Sequence, residues 1–383
     1  MKWVTTRYLP YFSYRSICWC NMGTDRHGTK AAHDSVTAGM QRHPILEAAA
    51  MLFPGYFALV MATGVVSIAC HLLGMHGLSL VLVLVNWIAY PTLWGLTLLR
   101  ALRFRDLLLR DISDHQRAPG FFTIVASTCV LGTQNMIVVG ATGIATVLWW
   151  FGLLLWFVVM YTFFTAVTVR RGKPTLARGI NGAWLIAAVS TQSVVVLRGV
   201  IDVAGAPSEL IQFQVLAMFL IGCMLYLAII PLIFYRLTFI ALSREDFSPP
   251  YWINMGAVAI TALAGSILVL RGETWPMITP LLPFLRGFTF FFWAVASWWI
   301  PFLFALMAWR YLWMKDRFTY EPAVWGMVFP IGMYCTSTYQ FDRAMGYGFL
   351  APVPKVLVFV ALAAWLLGMI GLLRRIGRSL FRP

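Results

Sequence analysis

Charged residues are scarce in this chain, and their absence from long stretches indicates its class. Asp, Glu, Lys and Arg make up 11% of its 383 residues, against 60% hydrophobic residues. A charge at the centre of a bilayer costs at least about 2.5 kcal/mol, so a membrane span seldom carries one. Stretches free of all four residues run from Ala48 to Leu99, Ala118 to Val169, Gly179 to Leu197, Leu210 to Tyr235, Phe247 to Leu270, Gly287 to Trp309, Pro322 to Phe341 and Val356 to Leu373. The sequence therefore predicts a membrane protein with several spans.

Enzyme motifs are lacking as well. The chain has no glycine-rich phosphate loop, no His-Glu-x-x-His, no Gly-x-Ser-x-Gly and no pair of histidines within its predicted spans that suits haem. Cys18 and Cys20 do not have the usual spacing of a zinc site. We therefore expect no enzyme, no cofactor and no metal.

The charge-free stretches accommodate ten spans. The two longest each hold two spans, with turns at 74–77 and 141–143, and the other six hold one each. If the N-terminus is cytoplasmic, all but five of the 29 Lys and Arg lie on the cytoplasmic side. This asymmetry favours cytoplasmic termini in the plasma (cell inner) membrane. The net charge of +15 is explained by this topology and by contact of the basic loops with membrane lipid. We therefore expect no nucleic-acid partner.

The chain is predicted to have three parts. Residues 48–376 form the membrane domain, 1–47 a cytoplasmic tail without a signal-peptide pattern, and 377–383 a basic cytoplasmic C-terminus. The tail is mixed polar and aromatic, and we expect it to be disordered.

The predicted spans alternate in composition. Odd-numbered spans are rich in Gly, Ala, Ser and Thr, whereas even-numbered spans are bulky and strongly apolar. Lipid accepts large apolar side chains, whereas close helix approach or a wet lumen favours small ones. We therefore expect an all-α integral membrane fold of five helical hairpins, with the odd helices forming an inner ring around a central pore. A solid ten-helix core without a pore is the alternative.

Polar side chains of the odd spans are the candidates for the pore wall. They are Thr63, Ser67, Thr128, Gln134, Asn135, Thr191, Gln192, Thr261, Ser266 and Thr336. No carboxylate accompanies them, which argues against a proton relay. Arg198 follows the polar part of the fifth span and has two interpretations. It attracts an anion, or it pairs with Asp202 and anchors the helix at the interface.

The ninth span carries Phe329 directly before Pro330, with Gly332 two residues on. A proline removes a backbone hydrogen bond and bends a helix. Inside a membrane, protein or water must satisfy the freed groups. We therefore expect this span to face a cavity in which Phe329 stands.

Several strings resemble one family. FPGYFALVMATGVVS, GAWLIAAVSTQSVVVL, YWINMGAVAITALAGS, FFWAVASWWIP and WGMVFPIGMY resemble the tellurite-resistance and dicarboxylate transporters, a family that includes malic-acid permeases and slow-type anion channels. The resemblance covers about residues 44–375. It implies a homotrimer with one pore per subunit, closed by Phe329. It also implies kinks in the inner helices, for which this chain offers Pro54, Gly55, Gly132, Gly256, Pro330 and Gly332.

Together these features predict an anion channel or channel-like uniporter for small anions or four-carbon dicarboxylates such as malate, gated by Phe329. A proton-coupled dicarboxylate or tellurite-resistance carrier is one alternative. A membrane scaffold or sensor without conductance is the other.

Overall fold

The computed structural model describes residues 44–201, 207–241, 248–315 and 320–380, and within them all regular structure is helical. Residues 1–43 of the predicted tail at 1–47 lie outside the described part of the chain, as does Asp202. The long helices of the described part are α1 Pro54–Leu72, α2 His76–Arg103, α3 Ala118–Val139, α4 Thr142–Val169, α5 Gly182–Ile201, α6 Glu209–Phe239, α7 Pro249–Arg271, α8 Thr279–Trp313, α9 Trp325–Met345 and α10 Pro352–Leu380. Shorter helices cover Pro44–Ala50, Arg105–Ile112 and Leu176–Gly179.

Nine of the described helices are long and apolar enough to cross a membrane, and α9 falls outside this set. It has 21 residues, but it ends with Gln340, Asp342 and Arg343 after a run of hydroxyl side chains. Most of α9 is buried against other helices, so its side chains need not suit lipid.

Burial follows the alternation in composition. In α1, α3, α5 and α7, between 78% and 94% of the most apolar stretch is buried inside the protein, against 22% to 44% in the even-numbered helices. We call α1, α3, α5, α7 and α9 the buried helices and the other five the exposed helices. Each buried helix packs against the exposed helix that follows it in the chain. The buried helices also contact one another in a closed cycle, α1 to α3, α5, α7, α9 and back to α1.

The buried helices all start in the same way. A turn of 3-10 helix opens α1, α3, α5 and α7 and directly precedes α9. Four of these turns have proline at their first or second position, where the missing N–H costs no hydrogen bond. The turn of α5 is instead capped by Asn181, whose Oδ1 accepts a hydrogen bond from the Ala183 N–H at 2.9 Å.

These five turns contact one another in a closed cycle at one end of the bundle. Glycine allows the close approach, since a Cβ added at Gly120 would lie 2.8 Å from the backbone nitrogen of Gly55. The N-termini of all five buried helices therefore lie at the same end.

Candidate functional site

A narrow cavity lies among the buried helices. Each of the five contributes three side chains to its wall, always at spacing i, i+3 and i+7, which keeps one helix face toward the cavity. The wall residues are Val65, Ile68 and Leu72 of α1, Val130, Thr133 and Ile137 of α3, Ser193, Val196 and Val200 of α5, Ile260, Leu263 and Ile267 of α7, and Met333, Thr336 and Gln340 of α9. The centre of a water-sized sphere can occupy about 30 Å³ of it, room for roughly two water molecules.

The wall is neutral and mainly aliphatic. None of the wall residues is charged, and only Thr133, Ser193, Thr336 and Gln340 carry polar side chains. Each of the three hydroxyls donates a hydrogen bond to the carbonyl four residues earlier in its own helix, at 2.7 to 3.1 Å. The hydroxyl protons are therefore already engaged, and a bound ion would find few ready partners.

Phe329 lies one helical turn beyond the cavity wall, toward the N-terminus of α9. Met333 belongs to the wall layer closest to that end, and Phe329 precedes it by one helical turn on the same face of α9. The Phe329 side chain is 2% exposed. Its ring is thus enclosed by the protein at the level where the cavity ends.

Of the ten polar side chains that the sequence suggests for the pore wall, Thr336 lines this described cavity. Seven of the other nine bond to exposed helices instead. The pairs are Thr63 with Trp365, Ser67 with the Ser79 carbonyl, Thr128 with Tyr90, Gln134 with Asn86, Asn135 with Trp87, Thr191 with Trp156, and Gln192 with the Phe219 carbonyl. Thr261 and Ser266 donate to carbonyls of their own helix. The cavity wall therefore differs from the hydroxyl-lined tube expected from composition.

Helix geometry gives the reason. Thr63, Thr128 and Thr191 each come two residues before the first wall residue of their helix, which places them about 200° around it. They face the exposed helices, where an indole or phenol hydrogen-bonds to each hydroxyl at 2.7 to 2.9 Å. Small polar residues join helices in this way when water is absent.

Arg198 also faces away from the cavity. It comes five residues after Ser193, and its guanidinium carbon lies 5.2 Å from the centre of the Trp149 ring of α4. This geometry is that of a cation–π contact. The alternative partner, Asp202, lies outside the described residues.

The residues expected to kink the inner helices fall into two groups. Pro54 and Gly55 lie in the first turn of α1, and Pro330 lies inside α9. The other three glycines lie where a second helix comes close. A Cβ added at Gly132 would lie 2.7 Å from Leu197, one at Gly256 2.8 Å from Pro330, and one at Gly332 2.8 Å from Val65.

Composition alone misses most of the wall, because its aliphatic residues look like ordinary core. The spacing that the wall residues of all five buried helices share is a signal that could have found them. Val65, Val130, Ser193, Ile260 and Met333 begin the same i, i+3, i+7 pattern in all five buried helices.

A comparison with known proteins identifies the family of this chain. A family described as voltage-dependent anion channel, SLAC1, matches residues 52–373. This chain belongs to the SLAC1 family. The membership confirms the resemblance noted from the sequence, and it places the protein among membrane channels and transporters.

Related proteins occur in Mycobacterium tuberculosis and in Methanocaldococcus jannaschii. An uncharacterized membrane protein of Mycobacterium tuberculosis is 33% identical over 158 residues, 41% of this chain and 80% of that protein. Two uncharacterized transporters of Methanocaldococcus jannaschii are each 22% identical, one over 84% of this chain and 94% of its own length, the other over 83% and 91%.

Proposed function

We propose that the protein is an anion channel or channel-like uniporter whose pathway runs between the five buried helices. In this proposal all ten long helices cross the membrane as five hairpins, with the buried helices as an inner ring. One observation carries it: each of the five helices contributes the same three positions to one shared, uncharged cavity. In a solid helix bundle we would not expect the same three positions of every helix to surround one cavity.

Electrostatics favours anions over cations in this pathway. The N-terminus of a helix carries the equivalent of about half a positive charge. Five such ends meet at one end of the bundle, and no acidic residue lines the wall to offset them. Because the wall itself is neutral, an anion drawn to this end is not held tightly and can leave.

Phe329 is the gate in this proposal. Its ring is enclosed where the cavity ends, and a bulky apolar group there excludes water as well as ions. Removing the ring should join the cavity to the end of the bundle at which the helices begin.

The proposed substrates are small monovalent anions or four-carbon dicarboxylates. A proton-coupled carrier is the runner-up, but none of the described wall residues can titrate. We further propose a homotrimer in the plasma membrane with cytoplasmic termini and a pore in each subunit, as the family resemblance and the distribution of basic residues suggest.

The test is reconstitution in liposomes with defined chloride, nitrate and malate gradients, comparing wild type with Phe329→Ala. We expect Phe329→Ala to raise the current and its reversal potential to follow the anion gradient alone. A reversal potential that also moves with the proton gradient would show a coupled carrier. If Phe329→Ala passes no anion, the scaffold interpretation is favoured.

Phe341→Ala is the matched control. Phe341 is a fully buried phenylalanine of the same helix, but its ring stacks on Trp293 of α8 with centres 5.0 Å apart. Losing it should destabilise the protein without opening the pathway.

A further inference from the structure

The segment of α9 that carries Phe329 lacks part of its own backbone support. Pro330 has no N–H, so it cannot donate a hydrogen bond to the carbonyl of Gly326 one turn earlier. The position of this segment must therefore depend more on the helices packed beside it.

On one side, the segment rests on α7 at Gly256. A Cβ added at Gly256 would lie 2.8 Å from Cγ, 3.1 Å from Cβ and 3.3 Å from Cα of Pro330. A separation below about 3 Å is not tolerated without movement. The proline ring is rigid and cannot rotate aside, so α9 itself would have to shift.

On the other side, α9 lies equally close to α1. A Cβ added at Gly332 would lie 2.8 Å from Cγ1 of Val65 and 3.2 Å from Cγ2 of Val66. The residues that follow Phe329 are thus held by two close contacts, at Gly256 of α7 on one side and between Gly332 of α9 and Val65 of α1 on the other.

We propose that Gly256 is a positioning residue for the gate: its missing side chain forms a seat for Pro330 that holds the Phe329 ring across the pathway. The inference rests on the proposed function, in which Phe329 closes the pore. It assigns Gly256 a role in the contact between α7 and α9, whatever its effect on the course of its own helix.

The first test is the chloride current of Gly256→Ala in reconstituted liposomes. The added methyl group displaces Pro330 and with it Phe329, so we expect the basal current to rise about tenfold. Gly326→Ala is the matched control, because a Cβ there would meet its nearest neighbour, Ile253, at an ordinary 3.6 Å. A folded Gly256→Ala protein with the wild-type current would overturn the inference.

The second test separates positioning of the gate from general structural damage. In the Phe329→Ala background, Gly256→Ala should leave the current unchanged, because no ring remains to be displaced. If Gly256→Ala instead changes the current equally in both backgrounds, the role is merely structural and the inference fails. If Phe329→Ala itself passes no current, the proposed function is wrong, and this inference is wrong as well.

Two further variants, which exchange the small and the large residue of this contact, test the inference if Gly256→Ala does not fold. Pro330→Ala empties the seat from the other side and should also raise the basal current. The double variant Gly256→Ala, Pro330→Ala refills it and should bring the current back toward wild type. Both variants carry the restored N–H of residue 330, so equal currents from Pro330→Ala and from the double variant would overturn the inference.

Discussion

Thr63 and Val65 lie two residues apart on α1 and face opposite sides of it. The Trp365 indole N–H of α10 donates a hydrogen bond to Thr63 Oγ1 at 2.9 Å, whereas Val65 lies in the cavity wall. The same relationship recurs between Thr128 and Val130 of α3. In these helices the polar stripe joins the exposed helices, and the aliphatic stripe lines the cavity.

Thr63→Val should therefore affect stability and not permeation. It leaves the buried Trp365 N–H without an acceptor, a loss of about 1 to 3 kcal/mol in water-soluble proteins and nearer 0.6 kcal/mol within membrane bundles. We expect a lower Tm in detergent and an unchanged anion permeability ratio in the Phe329→Ala background. Thr261→Val is the control, since Thr261 bonds within its own helix, and it should alter the Tm less. A changed permeability ratio in Thr63→Val would place the hydroxyl in the pathway after all.

Leu263→Ser should raise conductance in the Phe329→Ala background. Leu263 lies in the middle layer of the wall, where aliphatic side chains resist wetting. A serine hydroxyl there gives water an oxygen that accepts a hydrogen bond, even when its own proton is bonded within the helix, and we expect a several-fold increase in single-channel current. Leu263→Ala is the control, because it removes most of the leucine side chain without adding a polar group. Equal currents from the two variants would mean that width, and not wetting, limits flow.

The sequence is sufficient to predict the protein class and which helices are buried. Both follow from average composition, because lipid and protein neighbours select different residue types along a whole helix. The wall could not be predicted in the same way, because it depends on which face of each helix turns inward. Ser, Thr and Gln suit a wet lumen and a dry helix contact equally well, so Thr191 and Thr336 look alike in the sequence. Thr191 bonds to Trp156, and Thr336 lines the cavity.

Glycines pose the same difficulty. Gly256 and Gly332 suggest bends when only their own helices are considered. In the structure each also provides room for a residue of another helix, Pro330 and Val65 respectively. Such a role depends on contacts between residues far apart in the chain, which a single sequence does not specify.

Arg198→Gln should lower stability without changing selectivity. The guanidinium lies over the Trp149 ring and faces away from the cavity. A cation–π contact contributes about 0.5 to 2 kcal/mol, so we expect a modest fall in Tm. In the Phe329→Ala background, the chloride-to-sodium permeability ratio should stay the same. A shift of the reversal potential toward that of sodium would restore the anion-attracting role for Arg198.

Asp111→Asn should destabilise the protein strongly. The Asp111 carboxylate lies 2.6 Å from a guanidinium nitrogen of Arg100 and 2.6 Å from one of Arg117, and Arg100 is only 4% exposed. Removing the charge leaves Arg100 buried without it, a loss of about 3 kcal/mol in the free energy of unfolding. Denaturant titration in detergent measures this loss in the free energy of unfolding. Arg117→Gln is the control: the Arg117 side chain is 43% exposed, so the loss should stay below about 1 kcal/mol. Equal losses would contradict this assignment.

His115 should make the protein sensitive to mild acid. It lies in the connection between the helix Arg105–Ile112 and α3, where burial lowers its pKa and the nearby charge of Arg170 lowers it further. In the unfolded chain a histidine has a pKa of about 6.5. Well above that pH the ring is neutral in both states and contributes nothing. As the pH falls through 6.5, the unfolded state takes up the proton first, so stability decreases until the pH passes the lower folded pKa.

His115→Gln removes this proton-linked loss. Between pH 7.5 and pH 5 its Tm should therefore fall less than that of wild type. The comparison isolates one group, because the other five histidines are common to both proteins. The Trp184 indole bonds to the backbone carbonyl of residue 115, a contact that the substitution retains. Parallel Tm curves over this range would show that His115 titrates alike in both states, contrary to its placement beside Arg170.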